Sequence, residues 1–341
     1  MQSKTQRRLA WLSVILSLGL VAAACGGDDD DSTDSGTEGE AASGEINISG
    51  SSTVEPISSL AAEAFQTDNP DVKIAVDGPG TGDGFELFCQ GETDISDASR
   101  AIKEEEAAAC ADAGIEYTEL KIAYDGITVL TSADNDAVEC LNFADLYALI
   151  GPESEGFSKW SDGQEIATAL GSDTELPDAT LEVTGPGSES GTYDSFIELA
   201  LADATEARGQ EEGTTRTDYA SSADDNTIIS NIEASETSLG WVGFAYAEEA
   251  GDQVKEIPVA AEPGGDCVEP SADTIADESY PLSRPLFIYV NNAKVTDNAA
   301  VSPFVSFYLE NLTEFVEGGG YVPMPEAQVD ETTSTWEGVS A

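Results

Sequence analysis

The 341-residue chain contains no histidine. Its absence excludes Ser-His-Asp and Cys-His nucleophilic machinery, histidine-ligated zinc and histidine proton shuttles. Basic residues are also scarce, with 13 Lys and Arg against 67 Asp and Glu, for a formal net charge of −54. Because binding to a phosphate backbone depends on Lys and Arg, nucleic acid is excluded as a partner. A charge of this size is typical of a protein adapted to high salt, which we take as a hypothesis about habitat.

What the chain does contain indicates a packed globular protein. Hydrophobic residues make up 40% of the sequence, including 4 Trp, 11 Phe and 10 Tyr, so the chain is not disordered by composition. The length suffices for about two ordinary domains. We expect no cofactor.

Residues 1–24 are predicted to be a signal peptide. A basic start precedes an apolar run over 9–24, which is shorter than the ~20 residues of a membrane-spanning helix. The run ends in Val-Ala-Ala-Ala-Cys-Gly, which resembles a bacterial lipobox, although Ala22 stands where Leu is usual. Cys25 would then carry the lipid; an ordinary signal peptide with a chance cysteine is the alternative.

Residues 25–44 are predicted to be an acidic, flexible tether. The stretch from Gly26 to Gly44 holds Asp, Glu, Gly, Ser, Thr and Ala and no basic residue, so it cannot bury a core. With Cys25 lipidated, the acyl chains of a bacterial lipoprotein would hold the protein on the outer side of the cell membrane.

Three hydroxyl- and glycine-rich turns, around Thr53, Thr81 and Thr192, each follow a predicted strand and precede a predicted helix. Strands that alternate with helices predict α/β layers with a mostly parallel sheet. Ligands of such sheets bind at the carboxyl ends of strands, where helices begin with unpaired amides. Each turn alone also fits a simple helix cap without a ligand, but three in one exported chain predict a shared anion site.

These segments together resemble the PstS family, the phosphate-binding subunits of bacterial ABC importers. The matching segments are Ser-Gly-Ser-Ser-Thr-Val at 49–54, Gly-Thr-Gly-Asp-Gly-Phe at 80–85, 88–100 ending in Ser-Asp-Ala-Ser-Arg, Ser-Glu-Ser-Gly-Thr-Tyr at 188–193, 222–226 and 239–246. The resemblance covers the chain from about residue 45 to its end.

The resemblance implies a two-lobed, periplasmic-binding-protein-like α/β fold. Each lobe would hold a mixed, mostly parallel sheet flanked by helices, and two hinge strands would join the lobes. Lobe I would comprise 45–123 plus 285–341, and lobe II would comprise 124–284, with crossovers near 124–125 and 283–285. Phosphate would be clamped between the lobes and passed to permease subunits, with the protein acting as a monomer.

The resemblance also implies most of the ligand set. Hydroxyls and amides of the first and second turns and of the Ser-Gly-Thr triplet would bind the anion. The predicted phosphate-binding residues are Ser52, Thr53, Val54, Thr81, Ser99, Arg100, Asp125, Ser190, Gly191 and Thr192.

Two positions depart from the family. Some members carry an Arg four residues before the Ser of the triplet, where this chain has Pro186, and an Asp at the end of the third segment, where it has Ser99. We interpret Arg100 as the replacement cation, since its planar fork can bind two phosphate oxygens; a surface salt bridge is the alternative. A carboxylate facing the phosphate proton would favour phosphate over sulfate, and Asp125 is preferred to Asp97 for this role.

Four cysteines besides Cys25 would lie in an oxidising compartment, and four cysteines permit three pairings. We favour Cys89–Cys110 and Cys140–Cys267, because each pair then stays within one implied lobe and leaves the hinge free. No Cys-x-x-Cys is present, so we expect no metal or redox site.

No catalyst is visible, and we expect a binding protein and not an enzyme. One alternative is an exported phosphatase-like enzyme with a Ser or Asp nucleophile, which would need metal or further cationic residues. The others are a binder of sulfate or molybdate, and an adhesion or surface-layer protein with a vestigial cleft.

Overall fold

The computed structural model describes residues 43–188, 190–211 and 213–340, which belong to one compact unit, Ala41–Ala341. The predicted signal peptide, the lipobox cysteine and nearly all of the tether lie outside the described residues. Within the described residues, no helix combines the length and the apolar character needed to cross a membrane.

Strands and helices alternate along much of the described chain. The strands are β1 Gly44–Gly50, β2 Val72–Asp77, β3 Ile95–Ala98, β4 Tyr117–Ser132, β5 Leu141–Asn142, β6 Glu182–Gly185, β7 Ala220–Ser221, β8 Ser238–Gly243, β9 Val254–Glu256, β10 Val259–Ala260 and β11 Ser283–Asn291. The α-helices are α1 Glu55–Asp68, α2 Thr81–Cys89, α3 Glu104–Asp112, α4 Phe143–Ile150, α5 Gln164–Ala169, α6 Gly191–Phe196, α7 Ala202–Arg208, α8 Asp225–Glu233, α9 Phe244–Ala250, α10 Ala272–Ala276, α11 Asn292–Asp297, α12 Val301–Glu310, α13 Leu312–Gly318 and α14 Glu326–Ser340. A π-helical segment, Ile197–Leu201, joins α6 to α7, and 3-10 helices occupy Pro152–Ser154, Trp160–Gly163 and Gly251–Gln253.

Nine of the described strands form a curled mixed sheet in two halves that share β4, and β5 pairs with β10 in a separate two-stranded sheet. One half has the order β2-β1-β3-β11-β4 and the other β4-β8-β6-β7, with β9 also on β4. The outer pairs are parallel, whereas β4 and β11 run antiparallel to their neighbours. The fold is therefore the expected two-lobed, mixed α/β architecture, with antiparallel strands at its centre.

Strand β4 differs from its prediction. The sequence predicts two strands, 119–123 and 126–131, on either side of the implied crossover at 124–125. The structure has one strand of 16 residues, since Tyr124, Asp125 and Gly126 continue the ladder opposite β11. The first part of β4 pairs with β11 and the later part with β8 and β9, so this strand passes from one half of the sheet to the other.

Helix α1 shows how the sequence pattern becomes packing. Pro56 occupies the first helical turn, where its missing N–H is harmless. The apolar stripe of Ile57, Ala61 and Phe65 is buried, and the Phe65 ring packs edge-on against Phe304 at 5.5 Å between centroids. The helix is thereby fixed on the core with its N-terminal turn beside the end of β1.

Both disulfides have the favoured pairings. Cys89 of α2 is bonded to Cys110 of α3, and Cys140 is bonded to Cys267. The first bond closes a short loop between two adjacent helices, and the second closes a loop of 127 residues. Each bond constrains the unfolded chain more strongly than the native fold.

Candidate functional site

A cavity of about 220 Å³ lies where the ends of β1 and β3 meet the crossover region of β4 and β11. One wall carries hydroxyl groups, contributed by Ser51, Ser52, Thr53, Thr81 and Ser99. The lining also includes the carboxylates of Asp194 and Glu198, and Arg284 provides the guanidinium. The cavity therefore brings together hydroxyl donors, one cation and two carboxylates in a space that can hold a small anion.

The first predicted turn is held in place by hydrogen bonds within the turn and to β3. The Ser51 amide donates to the Asp97 carbonyl at 2.9 Å, and the Thr53 amide donates to Ser51 Oγ at 3.2 Å. The Val54 amide donates to the Ser51 carbonyl at 3.1 Å, and Val54 itself is fully buried. Thr53 lines the cavity, whereas the Val54 amide is used within the turn.

The second predicted turn joins the third segment at the cavity. Thr81, the first residue of α2, lies 3.0 Å from Ser99 by their hydroxyl oxygens, and the Ser99 amide donates to Thr81 Oγ1 at 3.2 Å. Gly84 lets α2 pack closely on the end of β1, because a Cβ there would lie 2.4 Å from Gly50 Cα. These contacts place both predicted hydroxyls on the same wall.

The Ser-Gly-Thr triplet packs directly against the first turn. A Cβ on Gly191 would lie 3.1 Å from Thr53 Cα, so a larger residue there would crowd the first turn. Ser190 caps α6, its Oγ accepting from the Thr192 amide at 3.2 Å. All three residues line a neighbouring cavity of about 420 Å³, and Ser52 borders both cavities.

Arg284 is the buried cation of the cavity. It follows the first residue of β11 and faces Asp125 across the β4–β11 ladder. Its Nε donates to Asp125 Oδ2 at 3.3 Å and its Nη2 donates to Thr53 Oγ1 at 3.1 Å. Nη2 also donates to Ser195 Oγ, and Nη1 forms an ion pair with Glu198. The guanidinium thus connects the crossover strands, the first turn and the helical segment after the Ser-Gly-Thr triplet.

Arg100, predicted as the cation of the site, is engaged elsewhere. Its guanidinium donates to both carboxylate oxygens of Glu106, at 2.8 and 2.7 Å, and lies 5.6 Å from the centroid of the Phe85 ring. Burial opposes ionisation of Glu106, but the hydrogen bonds from Arg100 and from the Lys103 amide together hold its pKa below the usual range. Arg100 is not among the residues that line the cavity, and its ligand role stays a prediction.

The two carboxylates considered for the phosphate proton are both shielded from the cavity. Asp125 is buried against Arg284. Asp97 is fully buried in β3, and burial raises its pKa to about 7 despite a hydrogen bond from Ser58. The carboxylates that do line the cavity are Asp194 and Glu198.

Sequence reasoning did not identify Arg284, Asp194, Ser195 or Glu198 as functional. The available signals were weak: Arg284 lies in the predicted crossover, and Asp194 and Glu198 are four residues apart after the triplet. A scarce arginine in a chain of charge −54 is a candidate for burial, but only the tertiary structure shows that it reaches Thr53.

The fold and this cavity define a two-lobed solute-binding protein with a small, polar binding site. Residues 35–311 match the family model of the PBP superfamily domain. The chain belongs to this superfamily and, within it, to the PstS family, because its relatives align over most of its length.

Among these relatives, the phosphate-binding protein PstS of Staphylococcus aureus is 36% identical over 307 residues, covering 90% of this chain and 85% of that protein. The protein SphX of Synechocystis sp. is 39% identical over 283 residues, covering 82% and 79%. The crystal structure of a possible phosphate binding protein from Planctomyces limnophilus superposes with a TM-score of 0.78 at 34% identity, covering 88% of this chain and all of that one.

Proposed function

We propose that this protein binds inorganic phosphate outside the cytoplasmic membrane and delivers it to the permease subunits of an ABC transporter. The observation that carries the proposal is the buried guanidinium of Arg284, bonded to Thr53 on the wall of a cavity lined by serine and threonine hydroxyls. The relatives named phosphate-binding proteins support the same ligand.

The chemistry of the cavity suits an anion that approaches an acidic protein. A net charge of −54 repels phosphate at long range, but salt limits this repulsion to ~10 Å or less. Binding must therefore depend on local donors. Neutral hydroxyls and one fixed guanidinium supply them, and an Arg fork can bind two phosphate oxygens at once.

We propose the lobe boundaries and the ligand set as the sequence indicates them, with one addition. Lobe I comprises 45–123 plus 285–341, lobe II comprises 124–284, and closure of the two lobes encloses the anion. Ser52, Thr53, Thr81 and Ser99 line the cavity and keep their proposed roles, and Arg284 joins them as the cation. The ligand roles of Val54, Arg100, Asp125, Ser190, Gly191 and Thr192 stay predictions. A cation at the crossover suits this mechanism, because it can contact an anion held by either lobe.

The surroundings of the protein follow from the same proposal. Signal peptide cleavage and lipidation of Cys25 would anchor a monomeric, extracytoplasmic receptor to the membrane through the acidic tether. The protein would be a receptor and not an enzyme, as its relatives are named for binding.

The proposal is tested by calorimetric titration of the chain without residues 1–25, with sulfate as the control anion. We expect saturable phosphate binding with a Kd of about 1 μM or tighter, equivalent to at least ~8 kcal/mol. Sulfate or molybdate binding in preference to phosphate would instead favour the other-oxyanion alternative. Turnover of a chromogenic phosphate ester would favour the phosphatase-like alternative.

A further inference from the structure

Asp194 and Glu198 add two carboxylates to the lining of the cavity that holds the hydroxyls. Asp194 Oδ2 accepts from Ser52 Oγ at 3.0 Å, and Glu198 Oε2 pairs with Nη1 of Arg284. Burial raises the pKa of Asp194, and the nearby charge of Glu198 raises it further, against the hydrogen bond from Ser52. Both acids therefore engage groups that an oxyanion would use.

The two carboxylate partners of Arg284 are not equivalent. Asp125 lies directly opposite Arg284 in the β4–β11 ladder, and its side chain is 3% exposed. The Glu198 side chain is 57% exposed, so its carboxylate can be rehydrated when it leaves the guanidinium. Asp125 is thus a fixed structural partner, whereas Glu198 can be displaced.

Glu198 also lies where the helix departs from regular geometry. It is the second residue of the π-helical segment Ile197–Leu201, which interrupts the helical run between α6 and α7. Such π-helical turns inside α-helices are frequent at functional sites. The segment projects Glu198 into the cavity with Asp194 one turn before it.

We propose that Glu198 is an intramolecular competitor for the anion: its carboxylate and a phosphate oxygen use the same Nη1 donor of Arg284. The inference rests on the proposed function and identifies the residue that limits its affinity. A carboxylate oxygen and a phosphate oxygen are both anionic acceptors suited to a guanidinium fork. The anion must therefore displace Glu198 or share Arg284 with it. Both outcomes lower the apparent affinity of the protein for phosphate.

The test is calorimetric phosphate titration of wild type, Glu198→Gln, Glu198→Asp and Glu206→Gln. Glu206 is exposed on the neighbouring α7, so its variant makes the same change in net charge at a distance from the cavity. We expect Glu198→Gln to bind phosphate about tenfold more tightly, since a neutral amide competes poorly for a charged donor. Glu198→Asp keeps the charge but is one methylene shorter, and we expect a smaller gain.

The titrations are repeated in about 1 M KCl, where the Debye length is about 3 Å and distant charges are screened. We expect the gain of Glu198→Gln to persist there, and any gain of Glu206→Gln to disappear. Equal gains in the two glutamine variants, or unchanged affinity in Glu198→Gln, would overturn the inference while leaving phosphate binding intact. Absence of phosphate binding in every variant would overturn the proposed function and the inference with it.

Discussion

At the scale of single residues, Arg284 is the group on which the site depends most. Its side chain is 8% exposed, and each of its three nitrogens has a partner. A buried charge is expensive unless it is paired and hydrogen-bonded, and Asp125 supplies the pairing from within the ladder. The guanidinium is thereby held in one orientation, with Nη1 and Nη2 directed toward the groups of the cavity.

The variant Arg284→Lys tests whether Arg284, and not Arg100, is the cation that binds the anion. Lys keeps the charge but not the planar fork, so it cannot hold Asp125 and Thr53 and still bind two anion oxygens. We expect Arg284→Lys to weaken phosphate binding by about 1.5–3 kcal/mol, the range for hydrogen bonds to charged groups. Calorimetry measures the change, and circular dichroism checks that the variant is folded.

Arg100→Ala is the companion variant. Because Arg100 is already bonded to Glu106 at both carboxylate oxygens, we expect it to change phosphate affinity less than Arg284→Lys. A larger loss in Arg100→Ala would restore the sequence-based role of Arg100 and contradict the assignment of Arg284.

At the scale of elements, the first turn rests on a buried junction between β3, α1 and α12. Asp97 Oδ1 accepts from Ser58 Oγ at 2.9 Å, and Ser58 Oγ lies 3.3 Å from the Tyr308 hydroxyl. Asp97 Oδ2 is buried and has no hydrogen-bond partner in the described part of the chain. The same residue accepts the Ser51 amide through its carbonyl, so the junction lies directly beneath the cavity wall.

This junction predicts a pH-dependent stability. Burial raises the pKa of Asp97 to about 7, above its value of about 4 in an unfolded chain. The folded state therefore holds the proton more tightly, and the stability from this group is full below pH ~4 and is lost as pH rises through ~7. Between pH 5 and 8 we expect Asp97→Asn to gain about 2 kcal/mol in unfolding free energy relative to wild type.

Urea unfolding at pH 5 and pH 8 measures this difference. Asp77→Asn is the matched control, since Asp77 is exposed at the end of β2. Parallel pH profiles for Asp97→Asn and wild type would show that Asp97 does not titrate in the folded state over this range.

At the scale of the whole molecule, the excess of 67 acidic over 13 basic residues dominates the electrostatics. Many of these carboxylates are exposed, and their mutual repulsion disfavours the compact state at low ionic strength. The Debye length falls from ~10 Å at 0.1 M salt to ~3 Å at 1 M. Salt therefore removes repulsion between surface carboxylates more effectively than it weakens the buried Arg284 pair.

We accordingly expect the thermal unfolding midpoint to rise steeply with KCl between 0.1 and 2 M. Differential scanning calorimetry measures the midpoint, and sucrose serves as the control because it favours burial without screening charge. Full stability in dilute buffer, with no further gain from KCl, would contradict adaptation to high salt.

Several features of the protein follow from local sequence. The apolar stripe of α1, the turns at Thr53 and Thr81 and the order of strands and helices are local patterns, because hydrophobic periodicity and turn residues act over a few positions. The disulfide pairings needed the additional premise of two lobes, which came from the family resemblance. Composition alone excluded histidine chemistry and nucleic acid.

The tertiary structure decided which distant residues meet at the site. Arg284 and Thr53 are 231 positions apart, and no local pattern relates them; the β4–β11 register and the packing of the first turn bring them together. The same register pairs Arg284 with Asp125. It also continues β4 through residues 124–125, where the sequence predicts a break between two strands. Contacts between distant positions depend on the whole fold, so the sequence could identify the hydroxyl turns but not the cation they share.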